Sequence, residues 1–90
     1  MRYLHKQGYY PLKIMKASKS GALDIVCCVE GLYLALEAKQ EGKEAEPLQL
    51  YNINLVKKAK GFAAVVHNVI ETKEVIKEVL TFQKIKKSNQ

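Results

Sequence analysis

The sequence predicts one α/β domain: a mixed four-stranded sheet, built from a β-hairpin plus a crossover strand, flanked by helices. Two observations point there. Runs of aliphatic and aromatic residues bounded by Gly and polar clusters fill the stretch from Tyr9 to Lys39 and recur at Phe62 to His67. Apolar residues return at helical spacing between and after them. At 90 residues and 48% hydrophobic content, the chain has room for a single small core, which makes a second copy a plausible partner.

A few residues before Gly8 suit one helical turn. Tyr9 to Ala17 reads as an extended segment ending in Ser18-Lys19-Ser20-Gly21, and Pro11 assigns it to a sheet edge or a strand start. Asp24 to Val29 and Leu32 to Lys39 flank Glu30-Gly31, a strong hairpin signal. Gln40 to Glu46 is a polar loop holding Gly42. Pro47 then opens a helix on which Leu48, Tyr51, Leu55 and Ala59 recur at helical spacing. Lys57, Lys58 and Lys60 close that helix, with Gly61 as its stop. Phe62 to His67 is a short buried strand, and about Thr72 to Phe82 a last helix. The domain core covers about 8–82, and the basic stretch 83–90 is expected to fray.

With 15 Lys+Arg against 9 Asp+Glu the net charge is +6, and no acid precedes Asp24. Such a basic field suits a polyanionic partner. Composition excludes a disordered or collagen-like chain. No apolar run is long enough to span a bilayer and no signal peptide opens the chain, so a soluble, cytoplasmic protein without a membrane role is expected. Cys27 and Cys28 are adjacent, with no His or Cys at metal-ligand spacing, and read as reduced and buried.

The hairpin arithmetic locates the chemistry. With the turn centred on Glu30-Gly31, opposed residues have numbers summing to 61. Val29 then faces Leu32, Cys27 faces Leu34 and Ile25 faces Leu36, a wholly apolar face. On the other face Asp24 opposes Glu37, their Cβ atoms ~4.5–5.5 Å apart, and Lys39 points the same way. Two carboxylates this close repel unless a cation lies between them. Mg²⁺ suits one or two carboxylates plus a substrate phosphate, with the Ala38 carbonyl available as a further ligand. The plain alternative is a surface Glu37–Lys39 ion pair beside a loop-end Asp24.

The ordered set Gly21-x-x-Asp24, apolar hairpin, Glu37-x-Lys39, Gly42 loop and Gln49 early in the next helix resembles the PD-(D/E)XK nuclease superfamily. Within it, the chain is most similar to the minimal stand-alone form of the VRR-NUC (virus-type replication-repair nuclease) family, over roughly residues 8–80. The resemblance implies a restriction-endonuclease-like core and a Mg²⁺- or Mn²⁺-dependent endodeoxyribonuclease. Its substrate would be branched or structured DNA in replication, recombination or repair. Asp24, Glu37 and the Ala38 carbonyl would hold the metal. Lys39 would be the catalytic lysine, and Gln49 would hold the water or a phosphate.

Lys13, Lys16, Lys19, Lys57, Lys58 and Lys60 would hold DNA phosphates without reading bases. The resemblance to phage and prophage members of the family implies a homodimer, for which Tyr9, Tyr10, Leu12 and Tyr33 are the apolar candidates. The chain departs from the family pattern in having no Glu before Asp24. His5 and Gln7 are the polar residues available there, and a two-metal site lacks one usual ligand. The competing reading is a non-catalytic basic DNA- or RNA-binding module with a degenerate nuclease site. A third is a subunit that only assembles a larger nuclease or replication complex.

Overall fold

The computed structural model describes residues 1–14 and 22–88. Seven elements follow in order: α1 (Arg2–Lys6), β1 (Tyr10–Lys13), β2 (Ile25–Val29), β3 (Leu32–Ala38), α2 (Pro47–Lys58), β4 (Phe62–Val66) and α3 (Val69–Ser88). The sheet order is β1-β2-β3-β4. The first three strands are antiparallel, and α2 carries the chain across to β4, which lies parallel to β3. Pro11 sits in the edge strand β1, where its missing N–H breaks no ladder bond.

The β2–β3 register is the expected one: Ile25 opposes Leu36, Cys27 opposes Leu34 and Val29 opposes Leu32. Glu30 (φ 51°) and Gly31 (φ 83°) both occupy left-handed backbone, the geometry of a type I′ turn whose twist matches the strands. Alternation along the strands splits the sheet into two faces. One face buries Cys27, Val29, Leu34, Leu36 and Val66 against Leu4 of α1 and Ile76 and Val79 of α3. The other packs Leu23, Ala35 and Ala63 against Ile53 of α2. Each such large side chain withdrawn from water contributes about 1.5–3 kcal/mol.

Four expectations change. The buried stripe of α2 is Ile53 with half-buried Val56, whereas Leu48 and Tyr51 are exposed; the helix is rolled so that only this edge meets the small residues Ala35 and Ala63. Gly61 does not supply the left-handed stop. Lys60 adopts that conformation (φ 74°), while Gly61 is needed because a Cβ there would meet Val56 Cγ1 at 3.0 Å and Tyr33 Cδ1 at 3.2 Å. α3 continues to Ser88 rather than fraying after Phe82. Its last turns are fixed by the edge-to-face pair Phe82–Phe62 (5.3 Å) and by Gln83 Nε2 donating to the Glu30 carbonyl (3.0 Å). Cys27 is buried but Cys28 is exposed, because α2 does not extend over the β1–β2 half of its face.

Candidate nuclease centre

Asp24, Glu37 and Lys39 converge at one end of the sheet. The Ile14 N–H donates to the Asp24 carbonyl (2.7 Å), extending the β1–β2 ladder by one residue and setting Asp24 just before the start of β2. Ile25 faces α3, whereas Glu37, between Leu36 and the exposed Ala38, faces the α2 side, and Asp24 lies close enough for its charge to act on the Glu37 carboxyl. Glu37 is 3% exposed, the one buried charged residue among those described. Its Oε2 lies 3.8 Å from Lys39 Nζ, and its Oε1 is buried without a hydrogen-bond partner. Burial, then the neighbouring Asp24 charge, pushes the Glu37 carboxyl above the ordinary carboxylate range, and Lys39 only partly offsets them. The pair is thus no solvated surface ion pair.

Gln49 lies in the first turn of α2. Its Oε1 accepts the Glu46 N–H (2.8 Å), and the Glu46 side chain accepts in return from the Gln49 backbone, a reciprocal capping box. This fixes the Gln49 side chain at the start of α2 while engaging its carbonyl oxygen. Ala38 ends β3 beside Val66, and the Lys39 N–H donates to the Val66 carbonyl (3.0 Å). Of the basic residues, Lys13 pairs with Ile25 at the same end of the sheet. Lys57, Lys58 and Lys60 end α2 at the opposite end, about 18 Å from its N-terminus. Lys16, Lys19 and Gly21 lie outside the described residues. His5 is exposed at the end of α1, and Gln7 follows it, also exposed.

A second polar group was not signalled by any His or Cys pair. Glu41, His67 and Glu71 bring ligand-type atoms within 4.8 Å of one another. His67 Nδ1 lies 2.8 Å from Glu71 Oε1, and Nε2 lies 2.7 Å from the Lys43 carbonyl. The Asn68 Nδ2 donates to Glu41 Oε2 (3.2 Å). Only the i,i+4 spacing of His67 and Glu71 is visible in sequence; Glu41 and Lys43 arrive through the fold of the loop after β3.

A solved structure of a VRR_NUC domain superposes on the chain with a TM-score of 0.72 at 22% identity, covering 84% of each chain. The chain has the VRR_NUC fold. The restriction-endonuclease-like core expected from the motif order is therefore the one observed. No protein-family model matches the chain, and no curated protein does. In this VRR_NUC fold the Asp24–Glu37–Lys39 group occupies the open end of the hairpin, beside the start of the crossover helix.

The donor set fits a divalent cation. A buried carboxylate oxygen with no partner, next to a second carboxylate, is a costly arrangement that a cation would satisfy. All the available donors are oxygens, which suits Mg²⁺ or Mn²⁺.

Proposed function

We propose that the chain is a VRR-NUC-type, metal-dependent endodeoxyribonuclease that cuts branched or structured DNA in replication, recombination or repair inside the cell. The observation that carries this reading is the orphaned Glu37 Oε1, buried beside Asp24 and within reach of Lys39. Asp24, Glu37 and the Ala38 carbonyl would hold Mg²⁺ or Mn²⁺. When bound, such a cation lowers the pKa of a coordinated water and offsets charge on the scissile phosphate. Lys39 presents its ammonium group to the attacking water or to the phosphate oxygens, where its charge counters the negative charge that develops. Gln49, its Oε1 engaged in the capping box, would offer its Nε2 amide to the water or a phosphate. Lys13 holds phosphate close to the cut, and Lys57, Lys58 and Lys60 hold it farther away.

A homodimer would bring two such centres to two strands. The apolar surface available for it is the outward row Tyr10, Cys28 and Tyr33, with Leu12 on the next row. Tyr9, the fourth candidate, is half-buried against the α3-side core.

The test is cleavage of labelled four-way junction, flap, linear duplex and single strand with Mg²⁺, Mn²⁺ or EDTA. The parent chain is expected to cut branched DNA only with metal, and Lys39→Ala to lose about 10²-fold or more of that rate. Glu37→Gln should abolish cutting yet raise stability in EDTA by about 1 kcal/mol, because a neutral amide replaces a buried carboxylate whose charge burial and Asp24 oppose more than Lys39 offsets. It should also erase the rise in melting temperature that Mn²⁺ gives the parent. Undiminished cutting by Lys39→Ala would overturn the site. DNA binding without cutting under every metal would favour the non-catalytic module.

A further inference from the structure

Three lysines of α3 share a face that holds none of its acids. At 3.6 residues per turn, Lys73, Lys77 and Lys84 fall within about 40° of one another, while Glu71, Glu74 and Glu78 lie about 100–160° from Lys73. The lysine face borders α1. Together with Tyr3 and Tyr9 these three lysines line a groove of about 350 Å³, and none of the described residues lining it is acidic. Lys73 Nζ sits 5.5 Å from the Tyr3 ring centroid. The described residues form two ion pairs, Glu37–Lys39 and His67–Glu71, and neither involves these lysines. Like charges one helical turn apart, as at Lys73 and Lys77, weaken a helix unless something neutralises them.

The orientation of this tract gives it a use. α3 starts beside the end of β4, where Lys39 hydrogen-bonds to Val66, and runs back to the hairpin turn, where Gln83 meets Glu30. The lysines thus span about 16 Å in a line that leads toward the sheet end carrying Glu37 and Lys39. They do so on the α3 side of the sheet, whereas Lys57, Lys58 and Lys60 belong to the helix on the other side.

We propose that the α1–α3 groove is a second nucleic-acid contact, in which Lys73, Lys77 and Lys84 bind the phosphates of one DNA arm and Tyr3 and Tyr9 give its sugars and bases an apolar wall. A polyphosphate chain matches a straight row of point charges beside aromatic rings. A protein partner would need acidic side chains ordered along the same line. The proposal rests on the reading that DNA is the substrate. It deepens that reading: basic surfaces on both sides of the sheet suit a branched substrate whose arms diverge around the chain.

The experiment is fluorescence anisotropy in EDTA, so that nothing is cut, with labelled four-way junction and linear duplex titrated across salt concentrations. The parent is compared with Lys73→Gln/Lys77→Gln/Lys84→Gln and with Lys57→Gln/Lys58→Gln/Lys60→Gln, each checked for helicity by circular dichroism. The groove variant is expected to bind the junction about tenfold or more weakly at low salt. Its log K against log[salt] slope should fall by about two to three, near 0.9 per lost phosphate contact. Lys77→Gln alone, at an exposed position, should lower the slope by about one.

Unchanged affinity and slope in a folded groove variant would overturn this proposal while leaving the nuclease reading intact. Loss of binding to a polyglutamate peptide with DNA affinity retained would also overturn it, marking a protein-facing surface. Absence of DNA binding by the parent would overturn both readings.

Discussion

Two ionisable residues near the end of β3 show how position sets chemistry. Glu37 is costly where it is, since burial and Asp24 both oppose its charge. His67, by contrast, is held between two acceptors: the Glu71 carboxylate at Nδ1 and the Lys43 carbonyl at Nε2. Only the doubly protonated ring donates to both. The bond to Glu71, then that to Lys43, raises His67 above its ordinary 6.5, and the same bond lowers Glu71 below its ordinary 4.5. The signs follow by linkage. The His67 contribution to stability is fully present below pH 6.5 and is lost as pH rises through the raised folded value. The Glu71 contribution is present above pH 4.5 and is lost as pH falls through the lowered one. Nuclear magnetic resonance titration should place His67 above 6.5, with Glu71→Gln bringing it back toward that value and flattening the loss of stability on the alkaline side. A His67 midpoint at or below 6.5 in the parent would refute the clamp.

Among the elements, the β2–β3 hairpin is the frame on which Asp24 and Glu37 meet, and its turn is not optimal. Gly31 accepts left-handed backbone freely, but Glu30 at φ 51° pays a steric cost for it. Asn-Gly is the favoured type I′ pair. Glu30→Asn should therefore stabilise the chain by up to about 1 kcal/mol in urea denaturation, with the bond from Gln83 to the residue-30 carbonyl preserved. A loss of stability would mean that the Glu30 side chain has a role outside the turn. α2 matters through its ends: Pro47 and the Glu46–Gln49 box begin it beside the candidate centre, and close packing at Gly61 returns the chain to β4.

For the whole molecule, the sheet is covered unequally. α1 and α3 close one face, whereas α2 alone covers the other and leaves Tyr10, Leu12 and Tyr33 exposed at 64%, 48% and 51%. No helix among the described residues is long and apolar enough to cross a membrane. An exposed aromatic row on a short chain is the kind of surface that a second copy would bury. Sedimentation equilibrium is expected to give a dimer for the parent and a monomer for Tyr33→Glu, with helicity unchanged. A parent that stays monomeric at every concentration would rule this dimer out.

What the sequence determined is what local physics governs. Alternating apolar residues around Glu30-Gly31 specify one register, because a slip by one residue would turn Cys27, Leu34 and Leu36 out to solvent. Carried one residue past Ile25–Leu36, that register leads to Asp24 beside Glu37, whose carboxyl feels its charge, with Lys39 3.8 Å from Glu37, so the meeting of these side chains and the order of all seven elements were legible in the chain. Other features depend on groups distant in sequence. Which edge of α2 is buried, and how deeply Glu37 is enclosed, follow from how the helix rolls onto Ala35 and Ala63. The Glu41–His67–Glu71 group forms only where the loop after β3 meets the start of α3. The lysine face of α3 gains a direction, toward the candidate centre, only because β4 turns that helix back along the sheet. Register is a short-range property of adjoining strands; burial, and the company a charged side chain keeps, belong to the packed whole.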